Sequence, residues 1–257
     1  MVKGLYTAYT GMLNQQNKLD VVSNNMANAA TTGYKKEGST AQAFDTVLAV
    51  KIKDQSVAAT SQRIGTMNLG VKIGENYTDY SQGAFKTTDN TYDLALSGNG
   101  FFCIEFTNKA GETSTKYTRD GSFTLNVDGY LVTKDGDYVL DENGRHIQLD
   151  TLATSAIDEN GTIYQNDRPV ATIGLQDFED YNYLEHYGEN YYQPVEGAEF
   201  IDSNAQMFSG YLEASNVQVV SEMVDLISIT RAYESNQKVI QTIDSTLDKA
   251  VNQLGRV

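Results

Sequence analysis

The stretch that decides the fold is residues 215–254, SNVQVVSEMVDLISITRAYESNQKVIQTIDSTLDKAVNQL. Residues 211–254 contain no glycine and no proline, so neither of the two residues that most disfavour a helix occurs there. Apolar or aromatic residues recur at every seventh position, namely Val219, Leu226, Tyr233, Ile240, Leu247 and Leu254. This strict spacing predicts a long helix with a coiled-coil seam. We expect the helix to begin near Asn216, because Ser215 and Gln218 have the spacing of a capping box.

The second seam of this helix is only half apolar. Met223, Ile229, Ile243 and Val251 supply it in turn, while Asn236 and Gln237 leave a polar notch near its middle. At about 1.5 Å per residue the helix would be roughly 55–60 Å long, which exceeds the width of a small domain. A helix of this kind is typical of an assembly surface, although it could also pack only along its own domain.

The N-terminal end of the chain carries a matching stripe. Leu5, Met12, Leu19 and Met26 are also seven residues apart. Gly11 costs about 1 kcal/mol relative to alanine in a helix interior, so we expect this helix to need a partner. Gly33 follows two threonines and tolerates the left-handed backbone conformation, so the chain is expected to turn out of the helix there.

The middle of the chain shows strand patterns instead of helical ones. Six hairpin-type dipeptides punctuate it: Asn99-Gly100, Asp120-Gly121, Asp128-Gly129, Asp135-Gly136, Asn143-Gly144 and Asn160-Gly161. Short alternating runs lie between several of them, residues 170–178 predict one longer strand, and the tyrosine-rich residues 177–192 are interpreted as a surface excursion. The patterns predict an antiparallel β domain.

Four regions follow from these patterns. Residues 1–33 form an N-terminal assembly helix, 34–74 a linker or extended segment, 75–208 the central β domain and 209–257 a C-terminal assembly helix. The predicted fold class is α+β, with a mainly antiparallel β domain inserted between terminal helices that form a coiled-coil-like pair.

Composition argues against several classes of partner. The formal net charge of −15 and the pI of about 4.4 disfavour binding to nucleic acid or to an anionic membrane surface. The first residues do not match a cleavable signal peptide, because Lys3 is the only early charge and no long apolar core follows it. No stretch approaches the roughly 20 apolar residues that span a bilayer.

Titratable residues do not form a recognisable reactive motif. His146 and His186 are the only histidines and lack ligand spacing, so we interpret them as surface residues. Cys103 is the only cysteine, which excludes an intramolecular disulfide, and it lies in an apolar run that predicts a buried side chain. The Asp-Gly pairs do not match a calcium-binding loop. The sequence therefore predicts no catalytic residue, no metal site and no cofactor.

Four motifs are distributed along the chain. SNNMANAATTGYK at residues 23–35 has an Asn-Asn-apolar-Ala-Asn core followed by threonine, glycine, an aromatic residue and a base. DLALSGNGFF at 93–102 and YTRDGSF at 117–123 fall in the predicted β domain, and GYLEASNV at 210–217 leads on to RAYE at 231–234. Together they resemble the signatures of the axial rod and hook proteins of the bacterial flagellum. Residues 36–74 match that family poorly.

The resemblance implies a structural subunit without enzymatic activity. In such proteins the terminal helices form a coiled-coil inner tube, the β domain lies outside it, and many copies stack helically into a shaft that transmits torque for motility. The implied partners are further copies of the chain, other rod and hook proteins and the flagellar export apparatus, with no nucleic acid and no small-molecule substrate. The implied location is the basal body, reached by type III export without a cleavable signal peptide.

The candidate site is an assembly interface made from both seams and the polar residues beside the first. Its residues are Leu5, Met12, Leu19, Asn24, Asn25, Met26, Asn28, Gly33, Val219, Leu226, Tyr233, Ile240, Leu247 and Leu254. Two heptad seams have little partner surface within one copy, whereas identical copies can bury them in an array. Asn24, Asn25 and Asn28 are expected to hydrogen-bond between subunits or to cap the turn at Gly33.

An alternative from another class is a secreted carbohydrate-binding or carbohydrate-active β-domain protein. Tyrosine rings would stack on sugars, and nearby acids would supply carboxylates. The residues for this role are Tyr181, Tyr183, Tyr187, Tyr191 and Tyr192 with Asp177, Glu179 and Glu185. A solvated surface loop is the plainer interpretation of the same residues.

Overall fold

The computed structural model of the chain describes residues 2–51, 62–109, 111–188 and 190–252. Helix α1 (Val2–Ala27) lies at one end of the sequence and helix α2 (Val219–Asn252) at the other, with antiparallel strands between them. The two helices pack against each other. The predicted fold class is therefore confirmed. No helix among these residues has the length and apolar character to cross a membrane.

The described residues divide into two compact units, each assembled from separate parts of the chain. The first unit contains residues 1–27, 37–79 and 218–257, and the second contains residues 28–36 and 80–217. These boundaries differ from the four predicted regions mainly in two places. Residues 37–79 group with the helices, and residues 28–36 group with the β domain.

The first unit is built on an antiparallel helix pair. Gly4 of α1 lies beside Ile243 of α2, Gly11 lies beside Asn236, and Asn25 contacts Glu222. Each pair of residue numbers sums to 247, so the two helices run in opposite directions in one constant register. The described part of the unit also contains four strands: β1 (Glu37–Ala43), β2 (Val47–Lys51), β3 (Gln62–Met67) and β4 (Val71–Thr78). Strand β1 pairs with β4, β2 pairs with β3, and both β1 and β4 contact α1.

The second unit contains the remaining strands and a short 3₁₀ helix (Tyr181–Tyr183). The strands are β5 (Phe85–Thr87), β6 (Leu94–Ser97), β7 (Phe101–Thr107), β8 (Thr113–Thr118), β9 (Thr124–Leu125), β10 (Leu131–Val132), β11 (Tyr138–Val139), β12 (Ser155–Ile157), β13 (Thr162–Gln165), β14 (Arg168–Thr172), β15 (Leu175–Phe178), β16 (Leu184–Tyr187), β17 (Tyr191–Pro194), β18 (Phe200–Ile201), β19 (Gln206–Ser209) and β20 (Tyr211–Glu213). Every pairing between them is antiparallel.

Strand β7 is the centre of the largest sheet. It pairs with β8 on one side, and on the other side with β11 and β15 at successive positions. Its side chains alternate between two cores, as expected for a strand covered on both faces. Phe102 and Ile104 belong to the mainly aliphatic core, and Phe101 belongs to an aromatic cluster with Tyr117, Phe178 and Tyr192. The large sheet is therefore built around a strand whose first residues contribute buried side chains to both cores.

Both predicted helix boundaries are corrected by the structure. Helix α1 ends at Ala27, six residues before Gly33, although Gly33 does have a positive φ of 70°. Helix α2 begins at Val219 rather than near Asn216, and its first helical hydrogen bond runs from Glu222 N to Gln218 O. The Ser215 capping box does not form as predicted, because Ser215 Oγ accepts from Val217 N at a turn before the helix.

The turn predictions in the β domain are partly right. At Gly129, Gly136, Gly144 and Gly161 a positive φ accompanies a backbone bond to the third residue before the glycine, as in a tight turn. Asp120-Gly121 is not a free turn, because a Cβ on Gly121 would lie 1.8 Å from Leu94 O.

The prediction of one strand at residues 170–178 and that of a surface excursion at 177–192 were both wrong. Residues 170–178 are not one strand, because β14 ends at Thr172 and β15 begins at Leu175. Residues 177–192 are not only a surface excursion, because β16 and β17 form a hairpin in the large sheet and Tyr192 is buried.

Candidate assembly interface

The α1 seam predicted from the sequence lies one position after the α1 residues seen beside α2, which are Gly4, Gly11 and Asn25. Leu5, Met12, Leu19 and Met26 are all partly buried. A Cβ on Gly11 would lie 3.1 Å from Asn236 Nδ2, so the small residue makes room for a polar side chain of the other helix. The helix-weakening glycine thus has a packing reason.

The α2 residues that face α1 differ in part from those predicted. Leu226, Tyr233, Ile240 and Leu247 are partly buried as the heptad suggests, whereas Val219 is 43% exposed and Leu254 lies outside the described residues. The second seam runs through Glu222, Ile229, Asn236 and Ile243. Met223 and Val251 were assigned to this seam, but they are 52% and 71% exposed. Sequence patterning missed Glu222 because an acidic residue is seldom buried.

Asn25 connects three elements of the first unit. It is fully buried, its Nδ2 donates to Glu37 O at 2.8 Å, and its Oδ1 accepts from Glu37 N at 2.9 Å. Its Nδ2 also lies 3.4 Å from Glu222 Oε2 on α2. Asn25 therefore fixes the start of β1 and the start of α2 against the end of α1, inside one copy.

The other two asparagines have different surroundings. Asn24 is exposed, whereas Asn28 is partly buried and belongs to the second unit. Asn28 O accepts from Thr31 N at 3.1 Å, and its Oδ1 accepts from Thr31 Oγ1 at 3.3 Å. Asn28 thus organises the turn that leads to Gly33. The predicted contacts of these residues between subunits stay predictions.

Residues 32–35 of the N-terminal motif are built into the second unit. Gly33 N donates to Glu213 O at 2.8 Å, and a Cβ on Gly33 would lie 2.4 Å from Asp120 N. Thr32 Oγ1 donates to Asp120 Oδ1 at 2.7 Å. Asp120 therefore contacts the incoming loop through both its side chain and its backbone.

A buried ion cluster joins this loop to the end of the β domain. Lys35 Nζ lies 2.6 Å from Glu213 Oε1, and both side chains are almost completely buried. Arg119 Nη1 lies 3.6 Å from Glu213 Oε2, and its guanidinium is 5.2 Å from the Phe101 ring centre. Two positive groups thus lie beside one carboxylate. Charges buried in this way are stable only while they stay paired. Its members come from positions as far apart as 35 and 213.

The environment of Cys103 does not activate its thiol as a nucleophile. Burial raises the pKa of the Cys103 thiol to about 12. The thiolate is the nucleophilic form, so the group is protonated at neutral pH. Among the described residues no three side chains of histidine, cysteine, aspartate or glutamate are placed to hold a metal ion.

The tyrosines considered for sugar binding do not form one platform. Tyr192 is buried in the aromatic cluster, and Tyr191 donates to Asp137 Oδ2 at 2.9 Å. Tyr181 donates to Asp177 Oδ1 at 2.7 Å, so Asp177 serves a structural bond. Tyr183 and Tyr187 are partly exposed, at 44% and 41%.

Comparison with known proteins identifies the family. A model described as flagella basal body rod protein matches residues 5–35, a flagellar hook protein FlgE/F/G D1 domain model matches 95–165, and a flagellar basal body rod FlgEFG protein C-terminal model matches 209–254. A flagellar basal-body rod protein FlgF of Caulobacter vibrioides is 35% identical, with both chains covered completely. A flagellar basal-body rod protein FlgG of Bacillus subtilis is also 35% identical, over 98% of this chain and 99% of the relative.

The fold and the helix seam define a class of protein in which terminal helices pair and a β domain is inserted between them. Within that class, the chain belongs to the flagellar basal-body rod protein family. Within the family the sequence motifs resemble those of the distal rod protein most, with the proximal rod paralogue as the neighbouring choice. Relatives with two different names match at equal identity, so that choice stays a prediction. These comparisons give no support to the carbohydrate-binding alternative.

Proposed function

We propose that this chain is a structural subunit of the bacterial flagellar basal-body rod. Copies polymerise helically through their terminal helices into the torque-transmitting shaft used for motility, and the chain has no enzymatic role. The observation that carries the proposal is the helix pair of the first unit. Helix α2 packs on α1 with one face, while Val220, Met223, Val224 and Ile227 remain more than half exposed. An exposed apolar row of this kind marks an interaction surface.

The weakness of the first unit as an isolated body supports the same proposal. Its described buried apolar side chains are Ala8, Val21 and Ile229, whereas the second unit has a mainly aliphatic cluster of twelve buried residues. Helical stability in proteins comes mostly from packing of an apolar face. The terminal helices therefore gain stability from neighbouring copies, and folding of the first unit is coupled to assembly.

The proposed setting follows from family membership. The chain is located in the flagellar basal body and contacts other rod and hook proteins there. It passes the cytoplasmic membrane through the flagellar export apparatus, without a cleavable signal peptide. The proposed interface comprises the seam residues of α1 and α2 named from the sequence, and the exposed row on α2 is added to them.

Hydrogen exchange at rising protein concentration tests the assembly mechanism. Light scattering on the same samples separates monomer from assembly. We expect amides of α1 and α2 to exchange quickly in the monomer and to become protected on association, while β7 and β8 stay protected throughout and serve as the internal reference. Helices that are already fully protected in a proven monomer would contradict the coupling of folding to assembly.

The cellular role has its own test in the bacterium that encodes the chain. Deletion of the gene should abolish swimming, and restoring the gene should recover it. Basal bodies purified from the unmodified strain should contain the chain when analysed by mass spectrometry. Swimming without the gene, or basal bodies that lack the protein, would overturn the assignment to the rod.

A further inference from the structure

The first unit carries two exposed apolar stripes, one on each helix. The α2 stripe consists of Val220, Met223, Val224 and Ile227, which are 77%, 52%, 61% and 51% exposed. The α1 stripe consists of Tyr6, Tyr9 and Leu13, which are 62%, 47% and 38% exposed. Spacings of three and four residues place each set on one face of its helix. Both stripes therefore exceed the scattered single residues that a protein surface normally exposes.

The α2 stripe lies on the opposite side of α2 from the residues that contact α1. A helix turns by 100° per residue, so the direction through the stripe lies about 170° from the direction through Glu222, Ile229 and Asn236. The latter residues are those that face α1. No packing inside this copy covers the stripe among the described residues, because each of its four side chains is more than half exposed.

The two stripes lie at opposite ends of the helix pair. In the antiparallel register residues 220–227 lie beside residues 20–27 of α1, whereas the α1 stripe occupies residues 6–13. The centres are about 14 residues apart along the pair, or about 21 Å at 1.5 Å per residue. One copy therefore cannot bring its own stripes together while the pair is intact.

We propose that the α2 stripe of one copy packs on the α1 stripe of the next copy. This inference rests on the proposed function and specifies its contact as heterologous. A single kind of contact then covers both stripes in every copy except the two at the ends. A symmetric contact of the α2 stripe with itself would leave the tyrosine stripe exposed and would close at two copies. The offset between the stripes instead gives an open, head-to-tail array.

The size of the contact has a consequence for the control of assembly. Seven side chains bury far less than the roughly 1,200 Å² that specific stable complexes require. The net charge of −15 on each copy adds long-range repulsion, which salt screens. Two copies alone therefore bind weakly, and a copy is held firmly only where several neighbours contact it together. Assembly is expected to rise with ionic strength.

Cross-linking between two engineered cysteines tests the heterologous contact. Tyr9→Cys and Val224→Cys are placed in separate full-length chains that also carry Cys103→Ser, so that no native thiol interferes. The two chains are mixed under conditions in which light scattering shows association, and they are then oxidised. We expect at least a fivefold higher yield of covalent dimer from the mixture than from either chain alone. Ser221→Cys, exposed on α2 but outside the stripe, replaces Val224→Cys as the matched control.

The possible outcomes separate this contact from the proposed function. Strong self-linking of Val224→Cys means a symmetric contact and overturns the inference. Assembly with equal yields from all mixtures also overturns it, while polymerisation through the helices survives. As a second readout, Val224→Asp should lower association at least tenfold while leaving the helical circular dichroism of the monomer unchanged. Unchanged association of this variant would remove the α2 stripe from the interface.

Discussion

At the residue scale, Gly33 is a position where the backbone leaves no room for a side chain. Its φ is 70°, and an added Cβ would lie 2.4 Å from Asp120 N and 2.5 Å from Arg119 C. Both neighbours are backbone atoms, which cannot swing aside as a flexible side chain would. We predict that Gly33→Ala lowers the free energy of unfolding by more than about 3 kcal/mol, through left-handed strain and steric overlap together.

Gly144 provides a matched control for this substitution. Its φ is 71°, but an added Cβ there would have no neighbour within 4 Å. Gly144→Ala should therefore cost only the left-handed penalty of about 1–2 kcal/mol. Urea denaturation followed by far-ultraviolet circular dichroism measures both variants, since the chain has no tryptophan for fluorescence. Equal losses for the two substitutions would show that the overlap at Gly33 is relieved without cost.

Cys103 and Tyr117 make stability depend on alkaline pH. Burial raises the pKa of each to about 12, from ordinary values of 9.0 for the thiol and 10.0 for the phenol. The folded chain thus retains protons that the unfolded chain releases. The resulting stabilisation is complete below about pH 9 and is lost as pH rises from there toward 12.

This loss can be measured by comparing the chain with its Cys103→Ser variant. Between pH 9 and 12 the native chain should lose roughly 1 kcal/mol more per pH unit than the variant, because only the native chain has the buried thiol. Urea titrations at several pH values give the two slopes. Parallel slopes would mean that the thiol ionises as easily in the folded chain as in the unfolded one.

At the element scale, Asn25 attaches a strand to the end of a helix. Both polar groups of its side-chain amide bond to the backbone of Glu37, where β1 begins. Asn25→Ala leaves those backbone groups without these partners in a part-buried site, which costs about 1–3 kcal/mol. We predict faster amide exchange at the start of β1, with Gln16→Ala, at an exposed position of the same helix, as the control. Unchanged exchange at Glu37 and Gly38 would contradict this role.

The terminal helices were predictable to different degrees because only some of their signals are local. The heptads of apolar residues identified both helices and half of the α2 seam. Asn236 was assigned to the second seam as a polar notch, and it does lie beside Gly11 of the other helix. Glu222 could not be assigned to the seam from sequence, because its placement depends on Asn25 of the other helix. The Ser215 cap failed for a similar reason, since Asn216 Oδ1 accepts from Lys36 N and holds that segment in a turn.

At the scale of the whole molecule, the β domain was predictable as a class, but its completion by residues 28–36 was not. Glycine turns and alternating runs indicate antiparallel strands through short-range rules. The contacts of Gly33 with Asp120 and of Lys35 with Glu213 join residues 87 and 178 positions apart. No local pattern encodes such a pairing. The family motif at residues 23–35 marked the segment as special without indicating that part of it belongs to the β unit.

Because residues 28–36 belong to the β unit, fragments with and without them are expected to differ in stability. A fragment of residues 28–217 retains the whole second unit, whereas one of residues 37–217 lacks Gly33, Tyr34 and Lys35. The shorter fragment exposes the site of the buried Tyr34 ring and leaves Glu213 without its closest cation. Removing one partner from a buried ion pair costs about 3–5 kcal/mol. We therefore expect the shorter fragment to melt at least about 10 °C below the longer one.

Adding the missing segment back separates loss of these contacts from a general effect of truncation. A synthetic peptide of residues 28–36 should raise the melting temperature of the shorter fragment, whereas the same peptide with Gly33→Ala and Lys35→Met should not. The peptide supplies the Gly33 N to Glu213 O bond and the Lys35 ion pair in trans. Calorimetry with and without each peptide gives the comparison. If both fragments melted at the same temperature, the β unit would be complete without residues 28–36, and the buried ion cluster would contribute little to its stability.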